Sequence, residues 1–231
     1  MHKATAYHDA LGDHFAEHAG TSPYNAYTDR PAMLRLAGNV SGARILDVGC
    51  GAGHYAAELS ARGAQVVGVE GSATLLRHAQ AHVHGQAELF LHDLEEPLGF
   101  AADASFDGAV CALVYEHVRN RVQLLGELRR VLRPSGWLLI STTHPTADWG
   151  HFGGSYFSHD WRDLPIGDSK LSIHYQRLPL ETFLNELLAA GFVLQQLIEP
   201  RPTADLREID EAAYNKLHQA PSFLAVRLQR P

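Results

Sequence analysis

At 231 residues, 45% of them hydrophobic and 19% charged, the chain is long enough to bury a substantial core without disulfide or metal staples. Its net charge of -7 argues against a protein that grips nucleic acid, because neutralising phosphates leaves a basic footprint. Only two cysteines, no apolar run near the ~20 residues of a membrane helix, and no charged-then-apolar leader layout predict a cytoplasmic protein with reduced thiols.

Residues 7–36 read as helical, interrupted near Thr21-Ser22-Pro23. From Ala43 onward strand and helix alternate, the pattern of a parallel sheet covered on both faces. A strand at 43–48 runs into a glycine turn and a helix at 55–61. A second strand, 65–69, ends at Glu70, and a helix follows from Ser72 to about 81. Strands at 87–92 and 106–112 come next, then a helix at 122–132. Its last turn carries Arg129 and Arg130, with Arg133 just beyond, cations suited to the negative end of a helix dipole. The turn Arg133-Pro134-Ser135-Gly136 leads to a strand at 137–142. These strands are near-continuous apolar runs, as burial on both faces requires.

Residues 144–172 break the alternation: they are aromatic, glycine-rich and too long for an ordinary connector, which predicts a lid or binding loop. A helix at 180–190, a strand at 192–198, a polar Pro-rich segment and a strand at 223–228 close the chain. The expected fold is α/β, a doubly wound, seven-stranded, mostly parallel sheet with a C-terminal antiparallel strand and helices on both faces. We read one domain, 1–231: a helical cap (1–40), a cofactor-binding core (41–143), an acceptor lid (144–178) and a C-terminal helix with strands (179–231). The 15 histidines are scattered without tight metal spacing, so no metal is expected.

The segment Ile45-Leu46-Asp47-Val48-Gly49-Cys50-Gly51-Ala52-Gly53 delivers a buried strand into a turn where glycines let backbone approach a ligand. The helix beyond presents amides suited to a carboxylate or phosphate. Glu70 closes the next strand, where a ribose-binding acid belongs. A dinucleotide fingerprint would put its third glycine where His54 stands, and a pyrophosphate gains nothing from Asp47, whereas an amino-acid ammonium does. A nicotinamide or flavin ligand, and a turn that binds nothing, remain the competing readings.

This segment resembles motif I of class I, Rossmann-like S-adenosylmethionine-dependent methyltransferases, and further landmarks follow in that family's order. The resemblance implies cofactor contacts from Asp47, Gly49, Cys50, Gly51 and Gly53, and ribose binding by Glu70 with Gly71 and Ser72 beside it. His92-Asp93-Leu94 is similar to the family's turn after strand three, with Asp93 facing the adenine amine. The stretch from Phe106 to Leu113 resembles motif IV, which implies that Cys111 and Ala112 run beneath the methionine portion. Tyr24, Tyr27 and Arg30 resemble an N-terminal feature that folds over the cofactor carboxylate; Tyr7 and His8 are weaker counterparts. Glu70 replaces the commoner Asp, and Ser135 a common glycine.

Methyl transfer from a sulfonium needs mainly alignment, with a base optional. His117, His144 and His174 are the candidate bases. Tyr24, Tyr115, Trp149, Tyr156, Phe157, Trp161 and Tyr175 are the candidate acceptor contacts, an apolar slot for a flat molecule. No Asn-Pro-Pro-Tyr or Asp-Pro-Pro-Tyr occurs, and neither cysteine sits as an attacking thiolate, so a small-molecule acceptor is the expectation. The alternatives are a cofactor-binding regulatory or assembly module without catalysis, and an NAD-dependent oxidoreductase.

Overall fold

The computed structural model describes residues 9–166 and 171–231, with side chains from Leu11 onward; Tyr7 and His8 lie outside them. The chain opens with α1 (Asp9–His18), a π-helical turn (Asn25–Asp29) and α2 (Arg30–Ala37), followed by β1 (Arg44–Val48), α3 (His54–Ala61), β2 (Gln65–Glu70) and α4 (Ala73–Val83). It continues through β3 (Ala87–Leu91), β4 (Phe106–Ala112), a 3-10 turn (Tyr115–His117), α5 (Arg121–Val131) and β5 (Leu132–Thr143). The last third holds α6 (Pro145–Phe152), β6 (Trp161–Pro165), β7 (Ser172–Gln176), α7 (Leu180–Ala189), β8 (Val193–Ile198), α8 (Ala204–Ile209), α9 (Glu211–Gln219) and β9 (Phe223–Gln229).

The main sheet has seven strands in the order β3-β2-β1-β4-β5-β9-β8, and β6 pairs with β7 in a separate hairpin. β1 to β5 run parallel, while β9 is antiparallel to both neighbours. Strand order reverses between β1 and β4, the switch point outside which open α/β sheets bind ligands.

Strict side-chain alternation splits the core in two. Leu46, Val48, Val67, Val69, Ala109, Cys111, Leu138, Ile140, Leu224 and Val226 face one way, against α5 and α7 through Leu124, Leu125, Leu128, Phe183 and Leu187. Ile45, Val66, Val110, Leu139 and Ala225 face the other way, against α2 and α3 through Met33, Leu34, Leu36, Ala56 and Leu59. Each fully buried Val, Leu, Ile, Phe or Met among these contributes roughly 1.5–3 kcal/mol of hydrophobic stabilisation.

Three expectations need correction. Residues 133–136 do not end the helix-to-strand turn before the sheet begins; β5 already pairs at Leu132 with Phe106 and resumes at Trp137 opposite Gly108. Ser135 bulges out at φ 65°, and Arg230 exchanges backbone bonds with Ser135 (2.8 Å) and Gly136 (2.9 Å), keeping both sides of the bulge in the ladder. The segment 144–172 is not irregular throughout, since it holds α6, β6 and the start of β7. The Pro-rich stretch before β9 contains α8 and α9, the latter started by Asp210, whose carboxylate accepts the Ala213 amide at 2.9 Å. Among the described residues no helix is long and apolar enough to cross a membrane.

Candidate functional site

β1 empties into the glycine turn, where Gly49, Gly51 and Gly53 take φ of 70°, 56° and 85°. At Gly49 geometry demands glycine twice, because a Cβ there would stand 2.6 Å from Val114 Cγ2. Val114 follows β4, so the loops on either side of the switch point press together. The Cys50 amide donates to the Val69 carbonyl at 2.9 Å and ties the turn to β2. Burial pushes the Cys50 thiol well up.

Glu70 stands across this turn. One carboxylate oxygen accepts the Ser72 amide at 2.8 Å and the other the Gly51 amide at 2.9 Å. Burial raises its pKa, and the amides of Ser72, Gly51 and Gly71 oppose the rise. Each oxygen keeps a further lone pair for a donor. Ser72 caps α4, its Oγ accepting the Leu75 amide at 3.2 Å.

Two more carboxyls lie behind the turn. Asp47 is 2% exposed, and its Oδ2 has no partner. Burial, then the neighbouring Glu70, push its pKa to about 7. Asp29 accepts the Tyr55 hydroxyl at 2.7 Å on one oxygen and nothing on the other, and burial pushes it to about 6. Buried acceptors without donors are costly unless a ligand completes them. A ligand rich in donors and positively charged fits that set.

The cap closes over the same place. Phe15 of α1 lies 3.6 Å from where a Gly51 Cβ would stand. Arg30 donates to the Ala19 carbonyl at 2.8 Å, holding the end of α1, and burial holds its pKa below the usual value. Tyr27 gives its carbonyl to the Thr203 amide at 2.8 Å. Tyr24 sits farther out, edge-on to Phe223, with its hydroxyl accepting from Lys216 at 3.0 Å.

Beside β2, the His92 amide donates to the Glu70 carbonyl at 2.9 Å, the Asp93 carboxylate accepts the Glu95 amide at 3.0 Å, and Leu94 packs on the core. Phe90 stacks on Phe100 with centroids 5.5 Å apart, leaving both rings partly open beside this turn. At the tip of β4, Cys111 is fully buried and Ala112 partly so; Leu113 takes φ 55° and donates to Ser141 at 3.0 Å.

The candidate acceptor residues separate. Tyr115 is fully buried, and its hydroxyl donates to Glu186 at 2.6 Å, which Arg121 also holds through both oxygens. Trp149 and Phe157 are 49% and 71% exposed. Tyr156 accepts the Leu180 amide at 3.2 Å, and Trp161 stacks on His174 at 5.0 Å. Tyr175 points into a separate buried polar cluster, donating to Asp148 at 2.6 Å. Among the candidate bases, His144 caps α6 by accepting the Thr146 amide at 3.2 Å and pairs with Glu199 at 3.2 Å. His174 pairs with Asp163 at 2.9 Å. Its carbonyl accepts His117 Nδ1 at 2.9 Å, and burial pushes the His117 imidazole down to about 4.

Sequence reasoning missed three buried carboxyls: Asp29, Glu116 and Asp148. Glu116 had a visible signal, a carboxylate inside the apolar run Val114-Tyr115-Glu116-His117-Val118 directly after a buried strand. Apart from this site, a cavity of about 500 Å³ lies between α2 and the β8–β9 edge, lined by Arg35, Gln196, Arg201 and Arg227, and shares none of the turn's residues.

Residues 46–140 match a family model described as a methyltransferase domain. A ubiquinone biosynthesis O-methyltransferase from Leptothrix cholodnii is 32% identical over 108 residues, 46% of each chain. The chain spans about half the length of the curated relatives it matches. Among solved structures, an S-adenosylmethionine-dependent methyltransferase from Mesorhizobium loti superposes with a TM-score of 0.69 at 24% identity, covering 87% of this chain and 96% of that one. A SAM-dependent methyltransferase from Aquifex aeolicus gives 0.64 at 17% identity, covering 95% and 98%.

Proposed function

We propose that the protein moves the methyl group of S-adenosylmethionine to a small-molecule acceptor by in-line displacement, leaving S-adenosylhomocysteine; the match of residues 46–140 to a methyltransferase domain and the likeness of the fold to solved methyltransferases support the reading. One observation carries the reading: a buried carboxylate, Glu70, faces a glycine turn backed by two further carboxyls with unfilled acceptors, Asp47 and Asp29. The cofactor brings a sugar diol, an ammonium and a sulfonium, which are donors and positive charge for those acceptors.

In this reading Glu70, with Gly71 and Ser72, holds the ribose hydroxyls, and the turn 49–53 cradles the amino-acid tail with Asp47 and Asp29 behind it. Asp93 and Leu94 border the adenine beside the Phe90–Phe100 pair. Cys111 and Ala112 run beneath the methionine portion. Arg30 and Tyr27 close the cap, and α1 excludes water. When bound, the cofactor supplies an electrophilic methyl carbon on a cationic sulfur. The protein's contribution is alignment, which can supply roughly 7–11 kcal/mol of the barrier.

The O-methyltransferase relatives support an oxygen nucleophile. The acidic net charge supports a small metabolite over nucleic acid, and the two buried free thiols support a cytoplasmic setting. The same reading assigns residues 1–40 to the cap, 144–178 to the acceptor lid, and the whole chain to one catalytic unit.

Thermal shift and calorimetry with S-adenosylmethionine, S-adenosylhomocysteine and NAD test the cofactor. A ligand at 100 times its Kd stabilises by about 2.7 kcal/mol. Stabilisation by the two sulfur nucleosides, lost in Glu70→Ala, is the expected result. A response to NAD alone makes the protein an oxidoreductase. Tight nucleoside binding without turnover on phenols, amines and thiols favours a regulatory module.

A further inference from the structure

The acceptor side of the switch point holds a buried carboxyl that cofactor binding does not use. The 3-10 turn after β4 sends its three side chains to different places: Tyr115 to Glu186 in the core, His117 to the His174 carbonyl, and Glu116 to the tip of β5. There Glu116 Oε1 accepts the Thr143 amide at 3.3 Å, while Oε2 has no partner although the residue is 4% exposed. Neighbouring strand tips are about 4.8 Å apart, so the tip of β5 stands roughly 14 Å from that of β2. Glu116 is thus displaced from Glu70 at the tip of β2 by about three strand spacings.

Asp148 of α6 and Tyr175 of β7, 5% and 3% exposed, share this cluster and bond to each other at 2.6 Å. The other titratable and charged groups facing it are Asp29 from the π-helical turn with Arg30 beside it, Cys111 from β4, His151 from α6, and the cation Arg177.

We propose that Glu116 is the catalytic base, taking the proton of a hydroxyl nucleophile through Oε2, with the bonded Tyr175–Asp148 pair walling the space beside that hydroxyl. The inference rests on the methyl-transfer reading and adds its acceptor class: an uncharged hydroxyl compound. In the step, the hydroxyl oxygen forms a bond to the methyl carbon and the carbon–sulfur bond breaks. The electron pair of that bond stays on sulfur and cancels its positive charge. The hydroxyl proton passes to the Glu116 carboxylate and later leaves to water. Burial pushes the Glu116 pKa to about 7, close to the working pH at which a base is most effective. Tyr175, whose pKa burial raises, stays protonated and keeps its bond to Asp148. All three side chains are enclosed, so an acceptor reaches them only when α6 or β7, which carry Asp148 and Tyr175, moves aside.

The test compares parent, Glu116→Gln and Tyr175→Phe with S-adenosylmethionine as donor and a panel of phenols, catechols and amines as acceptors. Calorimetry with S-adenosylhomocysteine serves as the control. The Glu116→Gln variant should bind S-adenosylhomocysteine within about twofold of the parent, yet lose about 10²- to 10⁴-fold in kcat, the worth of a positioned base. The parent's kcat/KM should rise with pH through about 7, because the base acts deprotonated, and that limb should vanish in Glu116→Gln. A nitrophenol already ionised at the assay pH should recover most of the lost rate, because it brings no proton to remove. Tyr175→Phe should raise KM more than it lowers kcat. Carbon-13 NMR of labelled glutamate should find a carboxyl titrating near 7 that is missing from Glu116→Gln.

Unchanged turnover in Glu116→Gln, methylation of amines only, no methylation of any hydroxyl compound by a parent that binds the nucleoside, or titration of Glu116 in the ordinary carboxylate range would each overturn the proposal. Failure of the parent to bind S-adenosylhomocysteine would instead remove the reading beneath it.

Discussion

Gly49→Ala probes the turn on which the site depends, and its cost has two separable parts. The backbone at φ 70° is left-handed, which costs an L-residue about 1–2 kcal/mol. The new methyl would also stand 2.6 Å from Val114 Cγ2 and 2.9 Å from Cγ1, so Val114, which packs on the core, has to move. Overpacking of this kind costs about 1–3 kcal/mol. Gly49→Ala should therefore destabilise by roughly 2–5 kcal/mol, the sum of both effects. Val114→Ala removes both clashing methyls at the expense of about 1–2 kcal/mol of lost burial. In the double variant most of the overpacking disappears, a 3.3 Å approach to the remaining Cβ being left, while the backbone strain remains. Equilibrium urea unfolding of the four proteins should therefore show a favourable coupling of about 1–3 kcal/mol. Strict additivity would refute the claimed contact between the loops after β1 and β4.

Three further predictions concern buried charge and its partners. The Arg121–Glu186 pair, with Tyr115 on the same carboxylate, ties α5 to α7 beneath the site. Arg121→Met should destabilise by up to about 3 kcal/mol, because Glu186, partly open to solvent, loses its cation and keeps only the Tyr115 hydrogen bond. Tyr115→Phe should lower the melting temperature by a few degrees and leave kcat intact; a large kcat loss at normal stability would return Tyr115 to the acceptor site. Asp47 is raised from an ordinary 3.8 to about 7, so between those values the native state keeps a proton that the unfolded chain has released. Its contribution to stability is full below pH 4, is lost as pH rises toward 7, and is constant above. At about 1.4 kcal/mol per pH unit the loss is on the order of 4 kcal/mol. His54 and His117, pushed down to about 4 by burial, act oppositely, losing stability as pH falls below 6.5. The measurement is thus the difference between parent and Asp47→Asn in urea unfolding from pH 4 to 8. A difference that does not change with pH would show that Asp47 is ionised throughout.

The core from β1 to β5 was legible because its signals are local. Apolar runs of five to seven residues, a glycine turn and a closing acid repeat at βα spacing, and β4 lies at the very residues its pattern indicates. The segment after β5 was less legible. α6 is eight residues long and contains Gly150, so it shows little periodicity, and β6 ends on Pro165 with mixed side chains. Asp210 ahead of α9 was a readable cap signal, obscured by the prolines around it.

Periodicity and turn chemistry depend on neighbours along the chain, and for that reason sequence alone determined the doubly wound sheet, the glycine turn and Glu70 opposite it. Which tyrosine meets the core and which meets a carboxyl, and that Asp29, Glu116 and Asp148 gather at one strand tip from three distant segments, was decided only by the tertiary structure. Burial and charge proximity arise from side chains packed together across 119 residues of sequence, from Asp29 to Asp148, and no local pattern records them.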